Sequence, residues 1–300
     1  MAAAQTGSVP EGDTYGRQGF GSMRLSEDDA GTADRDPVAV LNAALDLGVT
    51  MIDTADAYQN EELVGRAIRT RRDDVVLASK FGLVRRDDLA AGFEARADPA
   101  YVRSASEASL QRLGVEAIDL YYLHLRSETV PIEDTVGAMA ELVDQGKIRA
   151  IGLSNVTAED LRRAHAVHPV AALQEQWSLV QRGIEDELLP TAAELGVVVV
   201  AHSPTGQGLL HAQPQRRTDG PVTAGLRAAL GEIATGHDAT IGQVALAWVH
   251  HRQQEHGVRV VPLPGTASMR HLHANVAAAD LRLSATDLRR LETVTTAAKA

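Results

Sequence analysis

The chain has 300 residues, 44% of them hydrophobic and 23% charged, proportions that fit a folded globule and exclude a disordered chain. Its 29 basic against 40 acidic side chains leave a net charge of −11, so no overall field draws in nucleic acid or an anionic membrane, although a local basic pocket for a small anion is compatible with that balance. With no cysteine, disulfides, thiolate-bound metals and thiol nucleophiles are excluded.

Residues 1–10 lack the charged-then-apolar pattern of a secretory signal, and no apolar run approaches the ~20 residues of a spanning helix. A soluble, cytoplasmic protein is expected, and a monomer is compatible with everything in the sequence. From Gly19 onward, short runs rich in Val, Ile, Leu and Tyr alternate with helix-spaced segments. The predicted strands are 19–23, 49–53, 75–80, 118–123, 148–153, 171–174, 197–201 and 258–262, apolar on both faces as parallel strands under helices are. Asn60 reads as the cap of a helix over 61–69. Asp98-Pro99 opens a helix that runs to 113 and stops at Gly114. In 134–145, Val136, Met139, Ala140 and Val143 share one face before Gly146 ends the helix. Leu188, Ala192 and Leu195 repeat that spacing before Gly196. Ser284 with Asp287 reads as a capping box for the last helix, where Leu288 and Leu291 share a face. Segments 1–16, 26–36, 85–96 and 207–223 are polar or small and are expected to be the least ordered.

Eight strand–helix alternations without a linker predict one (β/α)₈ barrel over residues 1–300, with an extra C-terminal helix. The rival is a doubly wound sheet, which announces its nucleotide site with a Gly-x-Gly-x-x-Gly turn. Gly19-Phe20-Gly21-Ser22-Met23-Arg24 lacks the third glycine. In the barrel, the active site is expected at the C-terminal ends of the strands. The polar residues there are Asp53, Thr54, Asp56 and nearby Tyr58, then Lys80, His124, Ser154-Asn155, Gln174 and His202-Ser203. A phenol alone is a reluctant acid at neutral pH. A neighbouring ammonium favours phenolate, and a carboxylate keeps that ammonium charged and oriented. A neutral imidazole beside them can hydrogen-bond a carbonyl oxygen as charge develops on it. None of these groups donates a hydride, so the set suits carbonyl reduction only with a cofactor.

The chain resembles the aldo-keto reductases. The resemblance rests on Ile52-Asp53-Thr54-Ala55-Asp56-Ala57-Tyr58 with Asn60-Glu61-Glu62-Leu63-Val64-Gly65, on Ala78-Ser79-Lys80-Phe81-Gly82 and on Asp119-Leu120-Tyr121-Tyr122-Leu123-His124. It continues through Gly146-Lys147-Ile148-Arg149-Ala150-Ile151-Gly152-Leu153-Ser154-Asn155 and Pro262-Leu263-Pro264-Gly265-Thr266, in family order from about residue 19 to 291. It implies a catalytic tetrad of Asp53, Tyr58, Lys80 and His124. It implies that Ser154, Asn155 and Gln174 hold a nicotinamide carboxamide, that Ser203-Pro204-Thr205-Gly206 lie along a pyrophosphate, and that Gly265, Thr266 and Asn275 meet the adenosine. Gly21, Ser22 and Met23 join the cofactor candidates. The implied activity is reduction of an aldehyde or ketone with NADPH, or NADH, and without a metal. Four positions depart from the family. His202 stands where a tyrosine usually stacks on the nicotinamide. His271 stands where an arginine often grips the 2′-phosphate, with Arg270 adjacent. Ala267 and Ser268 replace basic residues, and the N-terminal hairpin is shortened.

Plainer readings stand beside these. Asp53 and Lys80 could be a tolerated buried pair, Tyr58 a loop aromatic and His124 a satisfied core histidine. All four at strand ends of one barrel make the catalytic reading the better one. His250, His251, His256, His271 and His273 lack metal-ligand spacing and read as surface. Arg85-Arg86 and Arg216-Arg217 read as loop charges, Trp177 and Trp248 as packing, and Phe81 and Phe93 as lining of a substrate pocket. The functional alternative is a non-catalytic, cofactor-binding regulatory subunit of the same fold, distinguished by whether an added aldehyde consumes NADPH.

Overall fold

Strands buried on both faces need a layer of helices outside and one another inside, and this chain supplies both. The computed structural model describes residues 14–89, 92–210 and 224–296. In chain order the strands are β1 (Gly19–Gly21), β2 (Met51–Asp53), β3 (Val76–Phe81), β4 (Leu83–Arg85), β5 (Phe93–Ala95), β6 (Leu120–Leu123), β7 (Ile151–Ser154), β8 (Val170–Gln176), β9 (Val198–His202) and β10 (Val260–Leu263). Eight of them form one parallel sheet in the order β1-β2-β3-β6-β7-β8-β9-β10. Gly21 bridges Gly265, and its N–H donates to the Pro264 carbonyl at 3.1 Å, so the two edges meet and the sheet closes into a barrel. The predicted strands all form, each within a few residues of the expected span.

Around them lie α1 (Pro37–Asp46), α2 (Glu61–Ile68), α3 (Pro99–Leu113), α4 (Ile132–Asp144), α5 (Ala158–Val167), α6 (Leu188–Leu195), α7 (Ala224–Gly236), α8 (Ile241–His256), α9 (Met269–Ala277) and α10 (Ala285–Thr296). The expected signals act as caps at several ends. Asp98 accepts from Tyr101 N at 3.0 Å, and Gly114, at φ 65°, closes α3 in the left-handed conformation. Ser284 and Asp287 cap α10 reciprocally. Asn60 differs. It occupies the N-cap position of α2 but its side chain does not cap. Buried, it accepts from Thr54 Oγ1 (2.7 Å) and donates to the Ser22 carbonyl (2.8 Å), tying the turn after β1 to the turn after β2.

Two expected loops carry structure. Within 26–36, Ser26 caps a short turn and Asp36 caps α1, with Pro37 in its first turn. Within 85–96, β4 and β5 pair as an antiparallel hairpin. α7, which packs on α10, is an additional helix between β9 and β10 that the periodicity did not reveal. The expectations for 1–13, 211–223 and Arg216-Arg217 fall outside the described residues. Among the described residues no strand precedes β1, and the floor of the barrel is filled by Tyr15, 2% exposed, packed with Met51, Leu120, Tyr122 and Val261.

Period-2 alternation divides the core. Ala78, Tyr122, Ala172 and Val200 belong to the inner cluster, whereas Leu77, Tyr121, Leu173 and Val199 pack under the helices. Gly65, on α2, meets the end of α3 so closely that a Cβ would lie 2.1 Å from the Leu113 carbonyl oxygen. A backbone atom cannot yield as a side chain can. Gly65→Ala should therefore destabilise the protein by roughly 1–3 kcal/mol, the usual cost of overpacking, although alanine is the better helix former. Thermal unfolding checks this, and an unchanged Tm would mean that the α2–α3 crossing can open freely.

Candidate active site

Asp53 ends β2 with its side chain turned into the barrel, and Lys80, near the end of β3, points the same way. Both side chains are at most 2% exposed, and Lys80 Nζ lies 2.5 Å from Asp53 Oδ1. A buried ion pair persists only when its remaining hydrogen-bonding capacity is met. Here Gln174 Nε2, from β8, donates to Asp53 Oδ2 at 2.8 Å. Lys80 Nζ donates to the Thr54 carbonyl at 2.9 Å and to Tyr58 Oη at 3.2 Å. All three ammonium hydrogens are thus committed, one of them to the phenol.

Tyr58 is half-buried in a short 3₁₀ turn over Asp56–Tyr58, which Gln59 terminates at φ 57°. Its ring meets His124 edge-on, with centroids 5.8 Å apart at 87°. His124 follows β6, where its N–H donates to the Phe81 carbonyl at 2.9 Å. The structure therefore brings Asp53, Tyr58, Lys80 and His124 together at one end of the barrel, on the neighbouring strands β2, β3 and β6.

Burial on its own pulls the Lys80 ammonium down, but the Asp53 carboxylate, seconded by Tyr58, outweighs it and the pKa is raised. That cation acts on the imidazoles around it. His124 is pushed down to about 3 by burial, then by Lys80 and His202, and His202 is pushed down to about 4 by burial and Lys80. Both rings are neutral near pH 7. A neutral imidazole can still donate or accept a hydrogen bond, but it carries no positive charge of its own into the group.

The cofactor candidates follow the sheet order round the rest of the mouth. Ser154 and Asn155 end β7 and Gln174 lies in β8. His202 ends β9 and leads into Ser203-Pro204-Thr205-Gly206, a turn closed by Gly206 N donating to the Ser203 carbonyl at 2.9 Å. Gly265 and Thr266 follow β10, where Thr266 Oγ1 accepts from Ser268 N at 3.0 Å. Gly21, Ser22 and Met23 come next, after β1. Ser22 is fully buried and its N–H donates to the Asp53 carbonyl at 2.8 Å, while Met23 is 61% exposed. On α9, Arg270 Nη2 donates to His271 Nε2 at 3.2 Å, and Asn275 is buried, its carbonyl accepting from Gln18 Nε2 at 3.2 Å. The candidates occupy the arc β7-β8-β9-β10-β1, the tetrad the arc β2-β3-β6.

Two further residues emerge only in three dimensions. The Thr54 carbonyl fixes Lys80, and Asn60 knits the turns after β1 and β2. A backbone acceptor leaves no sequence signal, and Asn60 carries one that reads as a cap. Phe81 does not line a pocket at the mouth. Lys80 faces inward, so its neighbour must face the helices, where Phe81 is fully buried and stacked on Tyr121 at 5.0 Å. Trp177 is a packing residue, fully buried, its Nε1 donating to Glu185 at 2.9 Å. His250 is not a surface residue. It lies near Gln18 Oε1 (3.1 Å), and burial with Arg17 and Arg282 pushes it down to about 4.

These histidines set an acid limit. Their unfolded value is ~6.5, so between about pH 6.5 and 4 the unfolded chain takes up protons that the folded chain refuses. The stability they contribute is present above that window and lost as pH falls through it. His202→Gln should therefore lose less Tm than the wild type, by a few degrees, between about pH 7 and pH 5. Equal losses in thermal scans of the two proteins would show that His202 does not resist protonation.

Comparison with known proteins agrees with this geometry. Residues 18–296 match the Aldo/keto reductase family. An aldo/keto reductase from Klebsiella pneumoniae, solved in complex with NADP and acetate, is 32% identical, covering 93% of this chain and 91% of its own, with a TM-score of 0.75. The holo form of an aldo-keto reductase from Bacillus halodurans is 29% identical over 93% of this chain and 91% of its own, with a TM-score of 0.79. The glycerol dehydrogenase of Gluconobacter oxydans is 26% identical over 99% and 96%, with a TM-score of 0.83. The closed barrel, the group built on its β2, β3 and β6 strand ends and this match across nearly the whole chain make the protein a member of the aldo/keto reductase family.

Proposed function

We propose that the protein is a cytoplasmic NADPH-dependent oxidoreductase that reduces an aldehyde or ketone to an alcohol, with Tyr58 as the proton donor. The observation that carries this is the contact of Lys80 Nζ with Tyr58 Oη at 3.2 Å. The ammonium donates to the phenol oxygen, so the phenolic hydrogen is free to point at a substrate, and the positive charge stabilises the phenolate left after proton transfer. Asp53, held by Gln174, fixes the ammonium. His124, neutral and beside the phenol ring, is suited to hydrogen-bond the same carbonyl oxygen and orient it.

The donor set next to this group fits a nicotinamide carboxamide. Asn155 Nδ2 donates to the His124 carbonyl (2.8 Å) and Ser154 Oγ (3.1 Å), and Gln174 Nε2 to Asp53, which leaves the amide oxygens of Asn155 and Gln174 to accept from a ligand amide. Ser154, Asn155 and Gln174 would hold the ring, with His202 against it, Ser203 to Gly206 along the phosphates, and Arg270 and His271 at the adenosine end. Bound there, a reduced nicotinamide supplies the hydride that no side chain can. The NADP-bound relatives from Klebsiella pneumoniae support that choice of cofactor.

Tyr58→Phe keeps the ring and removes the proton. Reduction of a simple aldehyde, followed as loss of NADPH absorbance, should slow by ~10²–10⁴-fold while NADPH binding is retained. A Phe variant that turned over at the wild-type rate would refute the proton-donor role, and a wild type inert toward every member of an aldehyde and ketone panel would favour the regulatory-subunit reading. Arg270 is exposed and cationic on α9, and His271 adds little charge when neutral. NADPH should therefore be preferred over NADH, and Arg270→Ala should cut the ratio of the two kcat/KM values by about tenfold, as expected for losing one charge-assisted contact. An unchanged ratio would place the 2′-phosphate elsewhere.

A further inference from the structure

Gln174 and Glu175 are neighbours on β8 and therefore point to opposite sides of the barrel wall. Gln174 faces inward to Asp53. Glu175 faces outward beneath the turn that joins β7 to α5, and it is 8% exposed. Among the described residues it forms no ion pair. One carboxylate oxygen accepts instead from the backbone N–H of Val156 at 3.2 Å, beside the N–H of Asn155. Burial pushes the carboxyl up to about 7, and only these two amides pull it back. A buried acid without a cation weakens the fold, so its presence calls for a local reason.

The reason lies in what those amides belong to. Asn155 has φ 55°, a left-handed conformation that a non-glycine residue holds only when its surroundings impose it. From that conformation its side-chain amide reaches back to the His124 carbonyl and Ser154 Oγ. A carboxylate suits this place because both of its oxygens can only accept from the N–H groups of the turn. A glutamine amide accepts on one and would turn its own N–H groups toward the turn.

We propose that Glu175 is a positioning residue for cofactor binding: by accepting the Val156 amide next to Asn155 it holds the β7–α5 turn so that Asn155 and Ser154 face the barrel mouth and His124 is braced from behind. The proposal rests on the reading that Asn155 contacts the nicotinamide, and a double-mutant cycle separates the two ideas. The measurements are the Kd for NADPH by fluorescence titration and the Tm of Glu175→Gln, Asn155→Ala and the double variant. Glu175→Gln should weaken NADPH binding about tenfold, the cost of a lost hydrogen bond to a charged group, without lowering Tm, because an uncompensated buried charge is removed. Asn155→Ala should weaken binding comparably, and the double variant should bind no worse than the weaker single one, since Glu175 acts through Asn155. Glu175→Asp keeps the charge but draws it back from the turn. It should also weaken binding, and it carries the same test if the Gln variant is insoluble. An unchanged Kd on altering Glu175, or additive losses in the double variant, overturns the proposal. If Asn155→Ala alone also left the Kd unchanged, the cofactor assignment at β7 would fall with it. A loss on altering Glu175 without a loss in Asn155→Ala would overturn the route through Asn155 and leave the other cofactor residues standing.

Discussion

An ammonium buried in the wall of a barrel is the constraint on which the rest of this molecule depends. Lys80 cannot stay charged there without Asp53, and Asp53 cannot stay charged without both Lys80 and the Gln174 amide. The third hydrogen bond of the ammonium could have gone to any acceptor within reach. It goes to the Tyr58 phenol, which turns a costly structural pair into a device acting on a reactive group. The same charge helps to keep His124 and His202 neutral, so the Lys80 ammonium sits beside two imidazoles that do not become cations near pH 7. That distribution suits a site where an oxyanion is to form and a phenol is to supply the proton.

The closed parallel sheet makes such a site affordable. All eight strands point their C-terminal ends the same way, so residues that lie far apart in sequence converge without long loops. The inner and outer faces of each strand do different work. Inward, Asp53, Lys80 and Gln174 meet one another near the mouth, while Met51, Tyr122 and Val261 fill the floor below them. Outward, Phe81 and Tyr121 join the helix layer. The division of the rim follows from the sheet order, with Asp53, Tyr58, Lys80 and His124 at the ends of β2, β3 and β6 and the cofactor candidates on the remaining strands.

Much of this was legible in the sequence because it depends on period and on strand ends. Apolar runs, cap signals at Asp98 and Ser284 and the polar residues closing each run suffice to place the strands, five of the ten described helices and the polar residues at the strand ends. What was not legible depends on partners that local pattern does not name. Asn60 carries a cap signal yet spends its side chain on Thr54 and Ser22, because burial offers it better bonds than the helix end does. Phe81 reads as mouth-lining until the inward direction of Lys80 is known. The β4–β5 hairpin has strands of three residues, too short to show a period, and it is anchored where Arg96 N donates to the Gly82 carbonyl at 2.8 Å. Glu175 did leave a trace, an acid following the apolar run of β8, but its partner is a backbone amide and that has no letter in the sequence.

Backbone conformation links these unread residues to the chemistry. Among the described residues, five non-glycine positions have positive φ, and Gln59, Asn155, Ser203 and Gln207 lie in the turns after β2, β7 and β9, at the barrel mouth. Such conformations cost free energy of order 1–3 kcal/mol each, and they persist where neighbouring contacts leave no alternative. Each turn has an anchor of that kind. Asn60 is bonded to both Thr54 and the Ser22 carbonyl beside Gln59, Glu175 takes the Val156 amide next to Asn155, and Ser203 Oγ lies 3.1 Å from His202 Nδ1. The rim is held by buried polar side chains one shell behind the groups that would touch a ligand. A turn that must present a side chain at an angle regular structure does not offer needs a fixed polar partner, and in this barrel Asn60 and Glu175 are two buried polar residues that such a need explains.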